Sequence, residues 1–159
     1  MISPHKTKYH SMYWAIAHVA AAQSVAQRHQ VGCVIVAPTG MLSIGFNGMP
    51  AGWETNECET SQSVDVYLSS TGEILAAHPP SLITKPEVIH AERNAIDKMT
   101  RQGVPIEGSI LFTTLAPCLE CAKSMHGLGF AHIYYQESYR CTAGLDFLTK
   151  AGVPVTQHA

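Results

Sequence analysis

The chain is short of several things, and each shortage narrows its function. No apolar run approaches the roughly 18 residues that a membrane-crossing helix needs. Only 14% of its 159 residues are charged; 10 lysines and arginines are set against 12 acidic residues, for a net charge of −2. There is no Lys/Arg run and no basic stripe, so the electrostatic footprint of an extended nucleic-acid binder is missing. One or two arginines still suffice to hold a small anion. The opening residues, Met1-Ile2-Ser3-Pro4-His5-Lys6, lack the charged-then-apolar layout of a secretion signal. The five cysteines are odd in number and are not spaced as a disulfide framework. The expectation is a cytoplasmic protein with no membrane contact. No repeat or low-complexity tract breaks the chain, and its length suits one domain over residues 1–159.

What is present reads as alternating helices and strands. An alanine-rich helix is predicted from about Tyr9 to Ala26, on the helical spacing of Trp14, Ile16, Ala17, Ala20, Ala21 and Val25. Val31–Val36 is a continuous apolar run, the pattern of a strand buried on both faces. A turn at Pro38-Thr39-Gly40 leads into Met41–Phe46, expected to be its antiparallel neighbour. From Trp53 to Pro86 periodicity fades into a Ser-, Thr- and Glu-rich stretch, read as an irregular insertion. Helices are expected over His90–Arg101, Pro117–Gly127 and Ala143–Ala151, with strands at Ile110–Thr113, Ala131–Tyr135 and Val153–Val155. The sum is a three-layer α/β/α sandwich on a mixed sheet of about five strands.

Two short strings carry the chemistry: His90-Ala91-Glu92 and Pro117-Cys118-Leu119-Glu120-Cys121. Zinc takes thiolate and neutral imidazole in a tetrahedral shell, and a catalytic site keeps the fourth position for water. His90, Cys118 and Cys121 supply three ligands. The two cysteines, three apart, share a helix face, and the positive end of a helix favours their thiolates. His90 and Glu92 are two apart. In mid-helix they would point roughly 200° from one another, so they can serve one pocket only at a helix start. Two helix N-termini are therefore expected to converge on one Zn²⁺, with Glu92 free to carry protons. A closed structural zinc site, with Glu92 a mere helix-start carboxylate, is the competing reading. The joint His-x-Glu and Pro-Cys-x-x-Cys pattern disfavours it.

At these residues the chain resembles the cytidine deaminase superfamily, and within it the deoxycytidylate (dCMP) deaminases. The resemblance extends over nearly the whole chain. It runs through Val31–Val36, Gly45-Phe46-Asn47-Gly48-Met49-Pro50-Ala51-Gly52, His90–Ile96, Pro117–Lys123 and the late Tyr139-Arg140 and Ala151-Gly152-Val153. It implies hydrolysis of dCMP to dUMP and ammonia, for thymidylate supply. It also implies a homohexamer activated by dCTP and inhibited by dTTP. Asn47 is implied near the sugar, where an amide both donates and accepts, although Asn-Gly is also a common turn pair. The Ala91 N–H is implied as a donor to the pyrimidine carbonyl, and Tyr139 as a cover for the base. Arg28 is a candidate for gripping phosphate. Arg101 and Arg140 are weaker candidates for phosphate or subunit contacts.

Backbone N–H groups of Gly45, Phe46, Asn47 and Gly48 could cradle effector phosphates as an anion nest, the triphosphate arriving with Mg²⁺. Some relatives hold a second, structural zinc. Here Cys58 and His78 are present but Ala26 stands where a cysteine is expected, so no second site is predicted. Cys33 and Cys141 read as isolated core or surface thiols. Two other readings stand beside dCMP deamination. One is a deaminase of another amino-substituted ring, such as cytidine, guanine, a riboflavin precursor or tRNA adenosine, the last disfavoured by the weak basic character. The other is a non-catalytic nucleotide-binding or structural zinc protein, disfavoured by the intact His-x-Glu.

Overall fold

The computed structural model describes residues 4–62, 66–77 and 81–158. After a single 3₁₀ turn at Thr7–Tyr9, α1 (His10–Ala21) leads to β1 (Gly32–Val36) and β2 (Leu42–Phe46). Four short strands follow: β3 (Glu59–Gln62), β4 (Val66–Leu68), β5 (Ile74–Ala77) and β6 (Ser81–Thr84). The rest runs α2 (Ala91–Arg101), β7 (Ile110–Leu115), α3 (Leu119–Gly127), β8 (His132–Glu137), α4 (Ala143–Lys150) and β9 (Val155–Gln157).

The central sheet has five strands in the order β2-β1-β7-β8-β9. β1 is antiparallel to both β2 and β7. β7, β8 and β9 are mutually parallel, because α3 and α4 carry the chain back between them. Side-chain alternation sorts the core into two layers. Val34, Val36, Ile110 and Phe112 meet Tyr13, Trp14 and Ala17 of α1 on one face. Cys33, Ile35, Leu111 and Ile133 meet α2, α3 and α4 on the other, through residues such as Ala95, Met99, Met125 and Leu148. The expected three-layer α/β/α sandwich is the observed one.

Two expectations need correcting. The first helix stops at Ala21, not Ala26. Ser24 turns away to donate to the Asn47 carbonyl at 2.8 Å, and the Gln27 and Arg28 amides donate to Glu59. The segment expected to be irregular is instead a β-ribbon. β3 pairs with β6 and β4 with β5, both antiparallel, as two separate two-stranded ladders, the second with a register shift between Tyr67 and Leu68. Alternation marks a strand only when one face is buried. Val66, Tyr67, Leu68, Ile74, Leu82 and Ile83 are all exposed, so no in-out pattern exists to be read.

The sheet and helices approach closely at glycines. A Cβ on Gly45 would stand 2.0 Å from the Ala91 carbonyl oxygen and 2.6 Å from the Ala95 nitrogen. β2 thus lies directly against the first turns of α2. On Gly144 a Cβ would stand 2.1 Å from the Pro117 carbonyl oxygen, so α4 presses on the segment that begins α3.

Gly45→Ala is therefore expected to lower the melting temperature by roughly 5–10 °C, given about 1–3 kcal/mol for forced overpacking and ~2–4 °C per kcal/mol at this size. Gly48→Ala, with nothing within 4 Å of the added carbon, serves as the control. Equal calorimetric melting of the two variants would refute the packing argument. A second expectation concerns pH. Burial first, then the nearby charge of His10, pushes His132 below the ordinary histidine value; burial first, then His158 and His5, lowers His10. Both are therefore more basic unfolded than folded. Below pH about 6.5 the unfolded chain takes up the extra protons, so stability falls as pH drops and levels off once the folded values are passed. A His10→Gln/His132→Gln variant should show a shallower fall in melting temperature between pH 7 and 5; an unchanged slope would count against it.

Candidate active site

α2 and α3 both begin on a metal-ligand candidate. His90 precedes α2 in an extended conformation (ψ 154°), and Cys118 precedes α3 likewise (ψ 169°). Pro117 therefore lies just ahead of the helix rather than in its first turn, as expected from sequence; Leu119 is the first helical residue. Glu92 and Cys121 occupy the first turns. Cap residues and first-turn residues point toward the helix N-terminus, which is how a pair two apart comes to serve one site. Parallel strands position the meeting point: β7 feeds the Cys118 end directly, while β2, against α2 at Gly45, holds the His90 end.

The donor atoms of His90, Cys118 and Cys121 all lie within 4.8 Å of one another. His90 Nδ1 is 3.5 Å from the Cys118 sulfur and 3.4 Å from the Cys121 sulfur. An ion bonded to nitrogen at ~2.05 Å and sulfur at ~2.3 Å in a tetrahedron would separate them by about 3.6 Å. The trio fits Zn²⁺ in size and in donor type. Among the described residues it is the one group of this kind. The Cys118 thiol is pushed down to about 3, chiefly by its hydrogen bond from Cys121 and further by His90. The same hydrogen bond, burial and Glu92 push Cys121 up. A hydrogen bond with Cys118 raises His90. Glu92 is buried, at 4% exposure, with Cys121 Sγ 3.7 Å from its Oε2. Burial is the main force pushing its carboxyl upward.

A cavity of about 110 Å³ opens beside the trio, lined by His90, Glu92 and Cys118. That is far more than the ~10–15 Å³ one water needs. Arg28, Asn47, Ala91 and Tyr139 line the same cavity, so all four expected substrate-side residues are brought to it. Ala91 is the first residue of α2, where a backbone N–H has no intrahelical acceptor. Tyr139 meets the His29 ring edge-on, at 6.1 Å between centroids. Arg101 and Arg140 are exposed and do not line it.

Asn47 has a structural duty besides. Its Oδ1 accepts the Val31 N–H and its Nδ2 donates to the His29 carbonyl, each at 2.8 Å. One amide hydrogen and one lone pair remain for a ligand. The anion nest at Gly45–Gly48 requires correction. Asn47 N–H donates to Val31, Gly48 N–H to Ile89, and Gly45 sits opposite Cys33 at a hydrogen-bonded position of the β1–β2 ladder, so only the Phe46 N–H is turned to the open edge of β2. A nest needs unspent donors.

Sequence reasoning missed His29, Val31, Glu59, Thr84, Val88, Leu115 and Ala116, which complete the lining. Glu59 and Thr84 come from the ribbon, and no local spacing ties them to the metal motif. Cys58, considered for a second metal, is packed with Ala26, Val88 and Met49; His78 lies outside the described residues. The five cysteines are free, with Cys33 buried and Cys141 exposed. Among the described residues no helix is long and apolar enough to cross a membrane.

Comparison with known proteins agrees with this geometry. Residues 7–137 match the family model described as the cytidine and deoxycytidylate deaminase zinc-binding region. Deoxycytidylate deaminase of Enterobacteria phage T4 is 32% identical, over 88% of this chain and 84% of that protein. ComE operon protein 2 of Bacillus subtilis (strain 168) is 29% identical, over 96% of this chain and 72% of that protein. Among solved structures, dCMP deaminase of cyanophage S-TIM5 in complex with dCMP and dUMP superposes with a TM-score of 0.78. It is 33% identical and covers 96% of this chain and 98% of that one. With that match spanning most of its length, and the His-Cys-Cys trio assembled at two helix starts, the chain belongs to the cytidine and deoxycytidylate deaminase family.

Proposed function

We propose that this protein hydrolyses dCMP to dUMP and ammonia, using Zn²⁺ held by His90, Cys118 and Cys121. The observation that carries the reading is the shared cavity. Its lining joins two of the three metal-ligand residues, His90 and Cys118, and Glu92 with Arg28, the one lysine or arginine in that lining. Zn²⁺ held by those three side chains would supply Lewis-acid activation of a water molecule. The chain's own groups do the rest. As the water oxygen bonds to C4, the Glu92 carboxylate takes one proton from it and passes that proton to the ring nitrogen N3; it then takes the second proton from the new C4 hydroxyl and delivers it to the departing amine. The C4–N bond breaks, a C4 carbonyl forms, and ammonia leaves. The Ala91 N–H orients the pyrimidine carbonyl, Asn47 takes a sugar hydroxyl with its remaining amide hydrogen, and Tyr139 covers the ring. Arg28 holds the 5′-phosphate, for which a planar guanidinium is suited.

Glu92→Gln should retain zinc, measured by metal analysis, while turnover falls by about 10²–10⁴-fold. Full activity in that variant would remove Glu92 from the mechanism. The substrate reading is tested by loss of cytosine absorbance. With about two hydrogen bonds to a charged phosphate at ~1.5–3 kcal/mol each, kcat/KM for dCMP should exceed that for deoxycytidine by about 10²-fold or more. Equal values would refute it. The same reading includes control by dCTP and dTTP in a symmetric hexamer, as the resemblance implies. Turnover should rise with added Mg²⁺–dCTP and fall with Mg²⁺–dTTP, and a flat profile would strike that part out.

A further inference from the structure

The cavity has a wall that the chemical steps do not use. It comes from the ribbon, where Glu59 and Thr84 face one another across the β3–β6 ladder. Both line the cavity, and both hold Arg28, at opposite ends. The Glu59 carboxylate accepts the Gln27 N–H through its two oxygens at 3.2 and 3.1 Å, and the Arg28 N–H at 3.2 Å. The Thr84 hydroxyl accepts from Arg28 Nη1 at 3.1 Å.

Glu59 is only 7% exposed. A carboxylate is costly to bury unless it is hydrogen-bonded. Here the bonds go to the two backbone amides that set where Arg28 leaves the chain. An arginine otherwise surrenders up to about 2 kcal/mol of rotamer freedom when it is fixed. With its backbone clamped by one residue and its tip held by the residue opposite, part of that ordering is in place before a ligand arrives. One hydroxyl engages one of five guanidinium donors and leaves the others for an anion.

We propose that the Glu59–Thr84 rung is a positioning device for Arg28, through which the β3–β6 pair makes the site select a 5′-phosphorylated substrate over the free nucleoside. The inference rests on the dCMP reading above. Neither residue touches the reacting atoms. Each acts through Arg28, so the signature of the rung is a change in substrate preference rather than a general loss of turnover.

The test is steady-state kinetics of the zinc-loaded full chain on dCMP and deoxycytidine, with dUMP affinity titrated by calorimetry. Thr84→Val should raise KM for dCMP about tenfold, weaken dUMP by a similar factor, and lower the deoxycytidine-to-dCMP KM ratio to match. Thr84→Ser, which restores the hydroxyl, should return the ratio to within about twofold of wild type. Glu59→Gln should lower the ratio in the same direction; should it fail to fold, the Thr84 pair decides alone. Variants that keep the wild-type ratio, or that shift both substrates together, overturn the rung as a selector. Wild-type protein that does not prefer dCMP overturns the dCMP reading as well. A wild type that prefers dCMP beside variants that prefer it equally overturns the rung alone.

Discussion

Three donor atoms from two distant helix starts must come within 4.8 Å of one another, and most of the architecture is arranged around that requirement. Neither helix can meet it alone. His90 and Cys118 both sit in extended backbone ahead of a helix, so each is aimed by the strand or loop before it as much as by the helix after it. The parallel β7–β8 pair and the antiparallel β1–β2 hairpin hold these two approaches in one sheet. Once they converge, the positive ends of both helices face one spot, which favours thiolates and a cation-ligating set.

Close packing makes the convergence exact enough for chemistry. Gly45 lets β2 touch the backbone of Ala91 and Ala95, and Gly144 lets α4 touch that of Pro117 and Cys118. Both contacts bear on backbone at or beside His90 and Cys118 rather than on the ligating side chains. Supporting contacts of this sort hold first ligands in place in metal sites generally. Asn47 links the site to the sheet: its amide ties residues 29 and 31 together while its edge stays in the cavity.

The ribbon has a different physical character. Among the described residues its large apolar side chains face solvent and its strands pair only with one another, yet its base supplies a buried carboxylate and a hydroxyl to the cavity wall. The outer ribbon therefore has little packing in common with the core, while its inner rung is tied to Gln27 and Arg28 by four hydrogen-bond contacts, two to each. A surface segment anchored in this way can shape what a site accepts without altering the machinery that does the reaction.

Local order in the sequence determined the parts of this protein that repeat a short pattern or demand a donor type. The buried run Val31–Val36, the helix carrying Glu92, and the His-x-Glu and Cys-x-x-Cys ligands were all legible, because helical and strand periodicity and metal chemistry are written in neighbouring residues. The ribbon was not legible, since strands with no buried face leave no alternation. Nor was the end of α1, set by Ser24 reaching to Asn47 and by the pull of Glu59 on residues 27 and 28. The joining of Arg28 with Glu59 and Thr84, 31 and 56 residues away, was decided by tertiary structure alone. Side chains so far apart in the chain meet only after the sheet and ribbon have brought their backbones together, and no spacing rule within the sequence encodes that meeting.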